Sequence, residues 1–196
     1  MKTFILASKN QHKANEVKAI LGSDFDVITQ TDAGAGDVEV IEDGKTFEEN
    51  AIKKAETIMK ATGKPVIADD SGLCVDYLDG APGIYTARYA GENATDDENI
   101  DKLLKALENI PEEKRSARFV CVIALSVPGK EPLTFRGECL GKIGFSRSGD
   151  NGFGYDPIFR PDGYNSSIAE VSSEVKNSIS HRGNALKSFA DYLKNL

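Results

Sequence analysis

The chain has 196 residues, 40% of them hydrophobic and 28% charged, with a formal net charge of −7 at pH 7. That balance fits a globular protein with an ample core, and it argues against nucleic-acid backbones and anionic membranes as partners. The three cysteines, Cys74, Cys121 and Cys139, are scattered without C-x-x-C spacing, which speaks against a disulfide framework or a zinc site and for a reducing cytosol. The apolar part of the N-terminus is too short for a signal peptide and no run approaches a membrane span, so the expected location is the cytoplasm.

In chain order, residues 3–7 predict a buried strand and 10–21 a helix with Gly22 at its C-terminal cap. Residues 31–45 are rich in glycine and acids and predict a loop. Thr46 and Glu49 have capping-box spacing ahead of Ile52, Ala55, Ile58 and Met59, which predicts a second helix ended by Gly63. A short strand over 65–68 follows, bounded by Gly72. Thr95 and Glu98 open a third helix through Leu103, Leu104 and Leu107 to Ile110, and residues 117–127 and 133–140 predict a hairpin turning at Pro128-Gly129-Lys130. A glycine-rich loop over 141–154 and a final helix over about 180–193 complete the chain. Strands alternating with helices predict an α/β class with parallel pairing in part, extended by the hairpin into a second lobe.

Four segments carry candidate chemistry. Asp69-Asp70-Ser71-Gly72 puts two carboxylates and a hydroxyl at the end of the 65–68 strand, where α/β sheets bind ligands, although the same residues suit a surface turn. The turn from Ser8 to Lys13 opens the first helix, whose free N–H groups and positive dipole end suit an anion, although Ser8 or Asn10 equally suits a cap. Glu39, Glu42 and Asp43 lie in the acidic loop, and with Asp69 and Asp70 they offer the few carboxylates that magnesium needs beside water and phosphate oxygens. Phe153, flanked by Gly152 and Gly154 and followed by Tyr155 and Asp156, has the makings of a base-stacking platform or of a tight packed turn. Ser180-His181-Arg182 starts the last helix, with Lys176 about one turn earlier. No Walker loop, dinucleotide fingerprint or nucleophile elbow is present.

These segments in this order resemble the inosine triphosphate pyrophosphatase family, over essentially the whole chain. The likeness runs through Ser8-x-Asn10-x-x-Lys13, Thr46-Phe47-Glu48-Glu49-Asn50-Ala51, Ala68-Asp69-Asp70-Ser71-Gly72-Leu73 and Gly80-Ala81-Pro82-Gly83-Ile84-Tyr85. It continues in Ala87-Arg88-Tyr89-Ala90-Gly91, Gly152-Phe153-Gly154-Tyr155-Asp156-Pro157 and Ser180-His181-Arg182. The resemblance implies a single domain over 1–196 with an elongated two-lobed mixed β-sheet flanked by helices, an active cleft between the lobes, a magnesium requirement and a homodimer. It implies hydrolysis of ITP, dITP and XTP to the monophosphate and pyrophosphate, by attack of water on the α-phosphorus.

By the same resemblance Ser8, Lys9, Asn10, Gln11, His12 and Lys13, together with Lys54, hold the triphosphate, and Ser71 contacts substrate. Phe153, Gly154, Tyr155, Asp156, Lys176, His181 and Arg182 surround the nucleoside, and donors from the His181-Arg182 segment or from the backbone are expected to pair with the 6-keto oxygen that adenine lacks. Asp70 carries the metal or the proton, Asp69 shares the catalytic assignment, and the second metal carboxylate is Glu39 or Glu42. The rival readings are a pyrophosphatase for modified pyrimidines or ordinary triphosphates, and a non-catalytic nucleotide or RNA-binding module; the acidic charge balance opposes RNA.

Overall fold

Short alternating runs become strands and the longer amphipathic stretches between them become helices. The structure, a computed structural model, describes residues 2–23 and 25–195, apart from the side chains of Lys2 and His12. The elements are β1 (Lys2–Leu6), α1 (Gln11–Leu21), β2 (Phe25–Thr29), α2 (Phe47–Thr62), β3 (Val66–Val75), α3 (Asp96–Ala106), β4 (Ser116–Ser126), β5 (Leu133–Ile143), β6 (Phe159–Pro161), α4 (Ser173–Ile179) and α5 (His181–Lys194), with 3-10 turns among them. One six-stranded sheet runs in the order β2-β1-β3-β4-β5-β6. It is mixed: β1 is parallel to β2 and β3, and β6 is antiparallel to β5. The α/β class expected from the sequence is the one observed.

Both predicted helix starts form. Thr95 and Glu98 make the full reciprocal box at the start of α3. At α2, Thr46 Oγ1 accepts from Glu49 N at 3.1 Å, but the Glu49 carboxylate reaches one residue further back, to Lys45 N at 2.6 Å. A cap of this kind stabilises a helix by about 1 kcal/mol.

Several stretches differ from the sequence expectations. No strand is predicted just after the first helix, yet β2 forms there, because Phe25, Val27 and Thr29 face inward in alternation along a partner strand already in register. The strand expected to stop at Ala68 runs unbroken through Asp69-Asp70-Ser71-Gly72 to Val75. The carboxylates therefore sit within a strand, just beyond Leu6↔Ile67, the last paired position of β1 with β3. The predicted loop from Gly141 is strand up to Ile143, paired with β6. A Cβ at Gly141 would collide with the Arg160 carbonyl and come within 2.8 Å of the Phe159 ring, so glycine is what lets the two strands close up.

The chain divides into two compact units. The first holds Met1–Asp70, Cys121–Gly137 and Arg182–Leu196; the second holds Ser71–Val120 and Glu138–His181. In the first, α1 and α5 bury Val17, Leu186 and Phe189 with Phe4, Val27, Ile67 and Ile123 of the sheet. The Phe4 and Phe189 rings meet edge to face at 5.6 Å. In the second, Ile100 and Leu103 of α3 pack with Leu73, Val75, Phe119, Ile143 and Phe159. Among the described residues no helix is long and apolar enough to cross a membrane.

Candidate active site

In the first unit the turn after β1 closes on itself. Ser8 Oγ accepts from Asn10 N at 3.1 Å, and Asn10 Oδ1 accepts from Lys13 N at 3.2 Å, so both side chains serve as caps for α1. Gln11 bonds Asn15 on the exposed face of the helix at 3.1 Å. Lys9 is exposed and lines a cavity of about 290 Å³ together with Gln30, Glu39, Glu42 and Lys54. The His12 side chain lies outside the described residues.

Lys13 points inward from the same turn. Its Nζ lies 2.7 Å from Asp69 Oδ1, while Arg182 lies 3.2 Å from Asp69 Oδ2 and 2.9 Å from Glu16. Burial alone would push the Asp69 carboxyl up, but Lys13, Arg182 and Lys54 outweigh it and hold it well below the usual carboxylate range. Asp69 is thus a carboxylate that stays ionised at neutral pH, paired with Lys13 and Arg182. Its neighbour differs. Asp70 Oδ1 accepts from Lys54 Nζ at 2.9 Å, and Asp70 Oδ2 is buried with no hydrogen-bond partner among the described residues. Burial raises the Asp70 carboxyl above its ordinary value, and Lys54, with a side-chain hydrogen bond from Asn50, only partly offsets that.

Lys54 also reaches Glu42 at 3.1 Å. Burial works against its charge, yet Asp70, Asp69 and Glu42 together raise its pKa, so the ammonium stays protonated. A carboxylate oxygen left bare in a buried setting is costly, and two carboxylates, Asp70 and Glu42, held on one lysine fit a hard divalent cation. No group of three or more His, Cys, Asp and Glu among the described residues is placed to hold a metal. A cation here would draw Asp70 and Glu42 from the protein and its other ligands from water and substrate, which is how magnesium is usually bound.

The sequence reading missed what holds the acidic loop. Gln30 is buried, and its side-chain amide donates to Ala35 O and Val38 O, each at 3.1 Å, while its backbone N–H donates to Ser8 O at 3.2 Å. Buried Asn50 accepts from Gly44 N at 2.8 Å. These two amides pin the ends of the segment 39–43, with Lys53 pairing Asp43 along the way. Buried amides need partners, but the burial of Gln30 and Asn50 is not visible along the sequence.

In the second unit Phe153 is 59% exposed, with the Lys176 ammonium 4.7 Å from its ring centre. Buried Asp156 fixes this loop by accepting from Lys176 Nζ at 2.6 Å and from Phe153 N at 3.0 Å. A side chain at Gly152, where φ is +83°, would run into the Asp156 carboxylate. Gly154 N donates to Asp96 at 2.7 Å. Tyr155 turns into the core, its hydroxyl on Thr86 O at 2.8 Å, so only Phe153 of the two aromatics is presented. His181 is buried and stacks on Phe119, ring centres 4.8 Å apart. Ser71 is half-buried at the start of this unit's share of β3. The residues grouped by sequence as nucleoside contacts are thus divided: Phe153, Asp156 and Lys176 come together, whereas Arg182 belongs to the Asp69 network of the first unit.

Comparison with known proteins gives one consistent result. The Ham1 family profile matches residues 4–192. A dITP/XTP pyrophosphatase of Bacillus licheniformis is 52% identical over 98% of each chain, and one of Clostridium perfringens is 49% identical over 100% of this chain and 99% of its own. The solved Ham1 protein of Staphylococcus aureus superposes with a TM-score of 0.91 at 48% identity, over 99% of each chain.

Proposed function

The chain belongs to the Ham1 family, and from that premise we propose that it is a nucleoside triphosphate pyrophosphatase converting dITP, XTP and ITP to the monophosphate and pyrophosphate. Clearing such non-standard purines from the nucleotide pool is its role in the cytoplasm, as a homodimer with a small-molecule substrate and no nucleic-acid partner. The observation that carries the chemistry is Lys54 set across Asp70 and Glu42, with the second Asp70 oxygen buried and unpartnered.

Phosphoryl transfer asks the protein for positioning and charge neutralisation. Lys13, Lys54 and the first-turn amides of α1 supply positive charge for the triphosphate. Magnesium, held by Asp70 and Glu42, would add Lewis-acid charge at the phosphate oxygens. Asp70 is also the carboxylate left to accept the proton of the attacking water, since Asp69 is taken up by Lys13 and Arg182. Asp69 orients Lys13 and Arg182 and transfers no proton, because its cations hold it ionised.

Phe153 stacks the base, a contact worth about 1–3 kcal/mol. Beside the Phe153 ring the donor for the 6-keto oxygen is Lys176, whose ammonium has further N–H groups to give while it is bonded to Asp156. The 6-amino group of adenine would meet that ammonium as a like donor, and mismatches of this kind discriminate strongly.

A panel of dITP, XTP, ITP, dATP, dGTP and dTTP with pyrophosphate detection tests the reading. The expected result is a preference for the deaminated purines over dATP on the order of 10²-fold or more. Asp70→Asn should lose about 10³-fold or more in turnover while keeping its melting temperature. Equal hydrolysis of all six, or near-normal turnover in Asp70→Asn, refutes the assignment.

A further inference from the structure

Two neighbouring carboxylates of β3 are each paired with a lysine from a helix, and the pairs differ in one respect. Asp69 is held by Lys13 at 2.7 Å and also by Arg182 at 3.2 Å, and Arg182 is only 3% exposed and is itself fixed by Glu16. Lys13 can leave Asp69 for a phosphate without stranding a buried charge. Asp70 has no such reserve: among the described residues its ion-pair partner is Lys54 alone, at 2.9 Å, and Lys54 is shared with Glu42 at 3.1 Å. Withdrawing Lys54 would leave a buried carboxylate facing a second one, with Asp70 Oδ2 already bare. Breaking a buried pair by removing one partner is strongly unfavourable, so Lys54 is free to move only when another cation takes its place.

We propose that Lys54 is the resident counter-ion of the Asp70–Glu42 pair and is exchanged for a divalent cation as the metal–triphosphate complex arrives, the ammonium passing from the carboxylates to the phosphates. The proposal rests on the metal-dependent reading of the site given above and adds a coupling to it. The ligand-free protein binds a divalent cation weakly, because the ammonium already satisfies the carboxylates. Triphosphate draws Lys54 away and so tightens the metal, and by linkage the metal tightens the triphosphate by the same factor.

The test is Mn²⁺ binding to the ligand-free protein at fixed ionic strength, followed by electron paramagnetic resonance of the free ion. Lys54→Met should bind Mn²⁺ about tenfold or more tightly than the wild type, since a unit charge a few ångströms from the ion has been removed. Lys54→Gln, which keeps a donor for Asp70 and guards against misfolding of the first variant, should show the same gain. The gain should vanish in Lys54→Met/Asp70→Asn and be absent from Lys13→Met. No tightening in either Lys54 variant, or an equal gain in Lys13→Met, overturns the exchange. Pyrophosphate release from dITP by the wild type is measured separately: its absence sinks the proposed activity and leaves the Mn²⁺ comparison intact, whereas turnover without a Lys54 effect sinks the exchange alone.

Discussion

The first unit assembles its candidate site from five distant stretches: Lys13 on α1, Glu42 in the acidic loop, Lys54 on α2, Asp69 and Asp70 on β3, and Arg182 on α5. The second takes its own chiefly from the loop around Phe153 and Asp156, with Lys176 bracing it. Charge pairing holds the former, so each residue there depends on the partners of its partners. Local backbone geometry holds the latter, so its exposed ring can be changed without disturbing the rest.

The largest effect should come from breaking the first arrangement. Arg182→Met removes a counter-charge from fully buried Asp69 and should cost about 3–5 kcal/mol, a melting-temperature drop of roughly 6–20 °C by calorimetry for a chain this long. The same network sets the acid limb of stability. Because the folded Asp69 carboxyl lies below its ordinary value of 3.8, its contribution is complete above that pH and is lost as the pH falls below it. Asp69→Asn should flatten that limb in acid-unfolding curves, and a limb unchanged in Asp69→Asn would place the acid sensitivity elsewhere.

Phe153→Ala is the matching cut in the second unit. The ring is mostly exposed, so the melting temperature should hold, while KM for dITP rises by roughly 5–150-fold, the equivalent of about 1–3 kcal/mol of stacking. A large stability loss with unchanged KM would reverse the contrast. The smallest effect sharpens it within the first unit. Gln30→Met removes both side-chain hydrogen bonds to the acidic loop, at about 1 kcal/mol each in stability, and should raise KM several-fold in steady-state assays with the Lys54 contacts to Asp70 intact. Unaltered KM would mean that the loop keeps its place without Gln30.

Legibility in the sequence followed the same divide. The Phe153 loop could be read as one peptide, because its glycines, ring and carboxylate are neighbours in the chain. The Asp69-Asp70 pair was found as chemistry but misplaced at a strand end, since two adjacent charges normally interrupt a buried strand. The strand continues because Lys13, Lys54 and Arg182 neutralise those charges, and such partners are invisible along a chain. Adjacency in the chain groups Arg182 with His181, and it does not show the ion pairs of Arg182 with Asp69 and Glu16. β6 escaped notice because Pro161 demotes a three-residue run, yet β6 is the last strand in the sheet order, an edge where a missing donor does no harm.

The ion pair from Arg182 to Glu16 spans 166 positions of chain, and the one to Asp69 spans 113. Contacts so remote in sequence must meet their loop-closure entropy before they return any stability. Helix α5, which also delivers Leu186 and Phe189 to the first core, is therefore the piece whose docking completes that unit. Until it docks, Asp69 lacks the Arg182 counter-charge. Acquisition of catalytic competence should then coincide in time with α5 docking, trailing the closure of the local turns and caps.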